Sequence, residues 1–271
     1  MKLEKKIFIF TDLDGSLLDR ETFNFDLAKS FINKIVDIGI KIIPNSSKTF
    51  QEIFYFCKEA RIDKTFIYEN GSGIYGLNLL DKSLPQSIIL SRKKDEIFKI
   101  FDKNISIKIK NHCIFISELD IKKQKSVFGL PKNKINIALN REFTIPLIFT
   151  GNSDEKKFLE TQVKELGLSI QSGGRVLNLG DNVNKGVSMK LIIDLISKNV
   201  KNEIYTIGIG DNQNDLEMLK ISNYPCFITK NEKKLEKSEM KNLILSKKKS
   251  PNSWIEVVKK SLKKIDQDFN F

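Results

Sequence analysis

The chain has 271 residues, 40% of them hydrophobic, with 46 Lys and Arg against 34 Asp and Glu for a formal net charge of +12; that size suits one large domain or two smaller ones. Its three cysteines lie far apart with no CxxC pair and no arginine six residues after any of them, and His112 is the single histidine, which excludes a disulfide framework, a zinc site, a thiol-based phosphatase loop and any multi-histidine site. No apolar run approaches the ~18 residues of a membrane span, and Met1–Lys6 lacks the apolar stretch of a signal peptide, so a cytoplasmic protein without a membrane partner is expected.

Taken in order, residues 5–11 read as a strand and 26–38 as a helix with Leu27, Phe31, Ile35 and Ile38 spaced three or four apart. Ile40–Pro44 is a second strand, 48–60 a second helix with Ile53, Phe54, Phe56, Cys57 and Ala60 on one face, and Lys64–Tyr68 a third strand, after which Gly73–Leu77 pairs back as a hairpin. The rhythm then changes. Between about Leu80 and Leu179 the pattern predicts strands at Ile105–Ile109, Ile114–Ser117, Ile135–Leu139 and Pro146–Thr150, with helices over 92–102 and 154–166. The first rhythm returns with a helix over 186–198 (Val187, Leu191, Ile192 and Leu195 inward), strands at Ile204–Ile209 and Pro225–Ile228, and an amphipathic C-terminal helix carrying Trp254, Val257, Val258, Leu262 and Ile265. Phe269 and Phe271 read as tail packing. The expected fold is α/β, a Rossmann-like parallel-sheet core formed by 1–80 and 181–271, with an inserted α+β cap over 81–180.

Ligands of open parallel sheets bind beyond the C-terminal strand ends. At those ends stand Asp12 and Asp14 after the first strand, Asn45, Ser46, Ser47 and Lys48 after the second, and Asp211 and Asp215 after the strand at 204–209, while Lys185 opens a helix of the same unit. Acids, a hydroxyl and a lysine at several ends suit phosphoryl transfer assisted by a hard cation. A carboxylate nucleophile divides phosphate-ester hydrolysis into two steps, and Mg²⁺ favours a few carboxylate oxygens with water and phosphate completing its shell. Asp12 and Asp211 fit as ligands, and Lys185 and the Ser46 hydroxyl fit the phosphoryl oxygens. Asp14, two residues along an extended chain from Asp12, shares its face and suits proton transfer to the leaving alcohol. Gly15 permits a tight turn behind the pair.

"DLDGSLL", Ser46 in "IIPNSSKT", Lys185 in "NKG" and "GIGDNQND" resemble, in order, the four motifs of the haloacid dehalogenase-like phosphatases. The resemblance implies Asp12 as nucleophile, Asp14 as general acid/base, Mg²⁺ held by Asp12, the Asp14 backbone carbonyl and Asp211, and Asp215 acting behind them. It also implies a type-two cap. "FIYENGSGIY", "NREFTIPLIF" and "GGRVLNLGDNVNKG" narrow the likeness to the mannosyl-3-phosphoglycerate phosphatase family. The implied substrate is a small anionic phosphorylated glycoside, a mannosyl- or glucosyl-3-phosphoglycerate, and the alternative is a broader sugar-phosphate or sucrose-phosphate phosphatase.

Such a substrate carries a carboxylate besides its phosphate. Arg141 and Arg175 are the candidates for it, since a guanidinium binds a carboxylate in bidentate fashion; a structural ion pair is the other reading. Glu142 is a candidate for sugar hydroxyls, with partnering a cation as the alternative. Ser47, Lys48, Glu69 and Asn70 sit at strand ends facing the cleft and complete the substrate-binding set, with capping or turn formation as the alternative. Asp19 and Asp181 read as capping or turn residues. The basic patches, such as Lys247–Lys249, lack interleaved aromatics, so no nucleic-acid partner is expected. A monomer or homodimer is expected.

Overall fold

The computed structural model describes residues 5–173, 175–199, 202–229 and 240–269. Strand β1 (Lys6–Thr11) leads to helix α1 (Asp26–Asp37), then β2 (Lys41–Pro44), α2 (Phe50–Ala60), β3 (Phe66–Tyr68), β4 (Gly73–Tyr75) and β5 (Ser87–Ile89). The chain continues through α3 (Lys94–Asn104), α4 (Ile107–Lys110), β6 (Cys113–Phe115), α5 (Ile121–Phe128), α6 (Lys132–Leu139), β7 (Ile145–Phe149), α7 (Ser153–Glu165), β8 (Leu168–Ser172) and β9 (Leu177–Asp181). It closes with α8 (Lys185–Ser197), β10 (Ile204–Gly210), α9 (Leu216–Lys220), β11 (Tyr224–Ile228), β12 (Ile244–Ser246) and α10 (Asn252–Ile265).

Five strands form a parallel sheet in the order β12-β11-β10-β1-β2. The period-two alternation of β1 feeds both faces: Ile7 and Ile9 join one apolar layer with Trp254, Val257 and Leu262 of α10, while Phe8 and Phe10 join the other with Met189 and Ile192 of α8. A short antiparallel sheet, β3-β4-β5, stands beside this core. The cap sheet is antiparallel in the order β6-β7-β9-β8, and it packs Leu147 and Leu179 against Ile97 and Phe101 of α3 and Leu159 and Val163 of α7. The expected architecture, a parallel core with an α+β cap, is therefore present.

Two predicted strands are helices. Ile105, Ile107 and Ile109 alternate like a strand, but 107–110 is a helical turn that buries Ile109 and leaves Ile107 69% exposed. Residues Ile135–Leu139 belong to α6, which buries Ile135 and Ala138 three apart and starts directly after Pro131, a residue suited to a helix start. Helix α5 and strands β8, β9 and β12 have no counterpart in the sequence reading. Polar Ser169 and Gln171 mask β8, and α5 is marked chiefly by its ends, where Asp120 accepts from the Lys122 and Lys123 N–H groups and Gly129 takes a left-handed conformation. Val187, expected inward, is exposed, as is Leu27; α1 buries Ala28, Phe31, Ile32 and Ile35, and α8 buries Met189, Ile192 and Ile196. Phe269 packs on the core, whereas Phe271 lies outside the described residues. Among the described residues no helix is long and apolar enough to cross a membrane.

Candidate active site

The end of β1 is fixed by its neighbours. The Asp12 N–H donates to the Ile209 carbonyl at 2.8 Å, and the Asn45 N–H donates to the Thr11 carbonyl at 2.8 Å, so the ends of β10, β1 and β2 are level. Gly15 then turns the chain at φ +88°. A Cβ there would lie 2.5 Å from an Asp211 carboxylate oxygen, so the glycine serves both the turn and the closeness of Asp211.

Lys185, at the start of α8, is fully buried; its ammonium donates to Asp12 and to Asp215 at 2.6 Å each. Asp215 is fully buried too, and its second oxygen accepts from the N–H groups of Asp211 and Asn212 at 3.0 Å each. Asp215 thus spends its oxygens on Lys185 and on shaping the Asp211 loop. The carboxylates of Asp12, Asp211 and Asp215 each place an oxygen within 4.8 Å of the others. Ser16 donates to Asp211 at 3.4 Å, and Arg20 pairs with the other Asp211 oxygen. On the far side of Asp12, Asp14 accepts an ion pair from Lys48 at 2.9 Å, and its other oxygen is buried without a partner among the described residues.

The electrostatics follow from this crowding. Burial, with the Asp215 charge, raises the Asp12 carboxyl above its ordinary value despite Lys185. Burial, with the Asp12 charge, likewise raises Asp14 against the pull of Lys48. Asp211 is pushed up to about 8 by burial and by the charges of Asp12 and Asp215, with Arg20 and Lys185 opposing. Burial alone would lower Lys185 and Lys48, but Asp12 and Asp215 in one case, and Asp14 and Glu52 in the other, hold both ammonium groups above the usual lysine range. Several carboxylates drawn together, with one oxygen of Asp14 buried and unpartnered among the described residues, suit a hard divalent cation such as Mg²⁺. Asp12, Asp211 and the Asp14 backbone carbonyl are the groups that would hold it.

A cavity of about 80 Å³ lies over these acids. Of the residues expected at the substrate, Ser47, Lys48, Arg141 and Arg175 line it. Ser46 lies at the same strand end, 1% exposed, with its hydroxyl accepting from the Lys48 N–H at 3.4 Å. Arg141 and Arg175 already use donors on the protein. Arg141 donates to the carbonyls of Ala138 and Ser47 and to the Thr144 hydroxyl, at 3.0, 3.0 and 2.9 Å. Arg175 donates to the carbonyls of Phe128 and Arg20 and lies over the Phe23 ring.

Glu69, Asn70 and Glu142 are not brought to the cavity. Glu69, 1% exposed, accepts from the N–H groups of Glu142, Phe143 and Thr144 at 2.8, 3.0 and 2.8 Å, and from the Thr144 hydroxyl at 2.8 Å. It is a clasp between core and cap. Asn70, at φ +60°, accepts from Asn214, which does line the cavity. The Glu142 side chain is half exposed and pairs with Lys93 at 2.6 Å. Residues the sequence reading missed include Arg20, Phe23 and Glu52. Arg20 follows directly on the first acidic motif, which is a signal; Phe23 and Glu52 carry none, because only folding brings them to the acids.

Lys185 thus bridges two buried aspartates, Asp12 and Asp215, at the strand ends of a parallel sheet roofed by an α+β cap. The family model of the haloacid dehalogenase-like hydrolases matches residues 9–252, and the chain belongs to that family. It is 30% identical over 268 residues, 96% of this chain and 98% of the relative, to the glucosyl-3-phosphoglycerate/mannosyl-3-phosphoglycerate phosphatase of Persephonella marina. It is 27% identical to the mannosyl-3-phosphoglycerate phosphatase of Pyrococcus horikoshii, over 79% of this chain and 86% of that one. It is therefore a phosphatase of the glucosyl-/mannosyl-3-phosphoglycerate phosphatase type. Its fold is also that of the haloacid dehalogenase subclass IIB sugar phosphatase BT4131, at a TM-score of 0.64 and 15% identity, covering 95% of this chain and 98% of that one.

Proposed function

We propose that the protein hydrolyses mannosyl- or glucosyl-3-phosphoglycerate to the glycosylglycerate and phosphate, with Mg²⁺, through an aspartyl-phosphate on Asp12. The observation that carries this is the Asp12 carboxylate, buried between the Lys185 ammonium and the Asp211 loop, with Asp14 beside it. Bound at the acids, Mg²⁺ would neutralise charge on the phosphoryl oxygens and the nucleophile. The chain's own residues do the rest. Lys185 fixes the Asp12 carboxylate and adds a fixed positive charge for the incoming phosphate. Asp12 attacks phosphorus, and the bond to the glycerate oxygen breaks. Asp14, whose carboxyl burial raises above its ordinary value, is the group placed to give a proton to that leaving oxygen and then to take one from the water that cleaves the acyl phosphate, returning Asp12 and inorganic phosphate. Lys48 holds Asp14 in place.

A second reading, a broader sugar-phosphate or sucrose-phosphate phosphatase, draws support from Arg141 and Arg175. Their donors already bond to backbone carbonyls, which weakens the case for a dedicated carboxylate clamp. Phosphate release from both glycosyl-3-phosphoglycerates beside sucrose-6-phosphate, with Mg²⁺ and after chelation, decides between them. The expected outcome is faster turnover of the phosphoglycerates, lost on chelation and restored by Mg²⁺. Asp12→Asn should abolish turnover by at least about 10³-fold with the fold retained; full activity would sink the nucleophile assignment.

A further inference from the structure

The cavity over the acids, about 80 Å³, takes the phosphate beside Asp12 and Asp14, which line it. The remainder of the substrate needs adjoining space. A second cavity of about 160 Å³ lies between the loop after β1, helix α2 and cap helix α6, and it shares Phe23, Lys48, Glu52 and Leu130 with the first. We propose that this second cavity is the hexosyl subsite, with Phe23 and Tyr55 as its aromatic walls and Glu59 and Lys134 as partners for sugar hydroxyls. The inference rests on the glycosyl-phosphoglycerate reading above.

The chemistry of the lining suits a neutral polyol. A hexose has apolar C–H faces and a rim of hydroxyls, so its sites pair aromatic rings with a few donors and acceptors. Tyr55 is 52% exposed, and its hydroxyl accepts from Gln51 at 3.3 Å, which leaves the O–H to donate. Glu59 uses one oxygen on Lys29 at 3.1 Å and offers the other. Phe23 stands at the junction of the two cavities. Its ring has the Lys48 ammonium and the Arg175 guanidinium each 5.3 Å from its centroid. Its backbone is at φ +58°, costly for a bulky side chain. Asp19 holds it there, accepting from the Glu21 and Thr22 N–H groups through its side chain and from the Phe23 N–H through its carbonyl, at 3.0, 2.8 and 2.9 Å. The other hollow adjoining the acids, behind the Arg20–Asp211 pair, is lined by Asp19, Lys248 and Lys249 and offers no aromatic face.

The test compares KM for glycosyl-3-phosphoglycerate with the inhibition constant of 3-phosphoglycerate, which lacks the sugar. Tyr55→Ala should raise the first about three- to tenfold and move the second by less than about twofold. Tyr55→Phe should restore most of the loss, and Glu59→Gln should raise KM alone. An unchanged KM in Tyr55→Ala, or an equal rise in both constants, would overturn the subsite while leaving the proposed reaction standing. A wild-type protein inactive on both glycosyl-3-phosphoglycerates would overturn the reaction and the subsite together.

Discussion

At Gly15 one atom decides the geometry of the site. Alanine there would meet Asp211 and would have to adopt φ +88°. Gly15→Ala should cost about 1 kcal/mol of stability and, by displacing the Asp211 carboxylate, about 100-fold in kcat/KM. Thermal melting and steady-state assays together check this; near-normal kcat/KM would show that the approach to Asp211 is not needed. The cysteines sit at the opposite extreme. Burial pushes the Cys57 and Cys226 thiols up to about 12 and Cys113 up to about 11, so almost no thiolate exists at neutral pH. A maleimide at pH 7.5 should leave the native protein unlabelled and modify all three thiols in urea. Fast labelling of any one without denaturant would contradict the packing. Asp19, which reads in the sequence as a turn residue, is one, but its turn aims Phe23 into the cleft. The place of Asp12 and Asp14 at a strand end was readable from the apolar run before them, as was the need for neighbours to raise Asp14; which neighbours act, Lys185 and Asp215 on Asp12 and Lys48 and Glu52 on Asp14, was not, because only folding brings them there.

At the scale of elements, the two passages between core and cap are tied to each other. Arg92 stands where the chain leaves β5 for α3, and Asp181 ends β9 on the return. The Arg92 guanidinium donates to both Asp181 oxygens and to the Gly167 carbonyl, and its backbone N–H donates to Asp181 at 2.8 Å. Burial would raise the Asp181 carboxyl, but these hydrogen bonds outweigh it and hold the group below its ordinary value. A carboxyl lowered by folding adds stability that is present above its unfolded pKa, about 3.9, and is lost as pH falls through the folded value. Arg92→Ala should therefore cost about 1–2 kcal/mol near neutrality, with the difference from wild type narrowing below about pH 4. Urea unfolding at pH 7 and pH 3.5 measures it, and a difference that grows in acid would refute the assignment. Element identity was legible where burial is one-sided, as in β1 and α10. It failed for α4 and α6, where short isoleucine runs fit a strand's alternation as well as a helix's face, and length could not arbitrate.

For the whole molecule, the central question is how the cap stays over the acids. Glu69 answers through the backbone of residues 142–144, and Phe143 from the cap side enters the core's apolar layer, its ring 6.0 Å from that of Tyr68. Removing the carboxylate leaves buried N–H groups without an acceptor. Glu69→Ala should cost on the order of 3 kcal/mol, speed hydrogen exchange at the Phe143 and Thr144 amides, and lower kcat by opening the site to water. Unchanged protection at those amides would show that the clasp does not hold the cap. Arg141 and Arg175 act at the same junction, the first reaching the Ser47 carbonyl and the second the Arg20 carbonyl.

The sequence by itself determined the parallel core and the acids and lysine at its strand ends. Those depend on local patterns: an apolar run ending in Asp12 and Asp14, a lysine opening α8, and Asp211 and Asp215 in one short loop. Only the tertiary structure decided which residues line the cavity over the acids. Glu69, Glu142 and Asn70 share the local look of Ser47 and Lys48, polar groups at strand and helix ends, yet the cap's position turns Glu69 into a clasp and Glu142 outward, and brings Phe23 and Arg20 to the cleft instead. The physical reason is that a cleft wall is built from segments far apart in the chain, and a side chain's role there is set by the donors and acceptors that packing places against it.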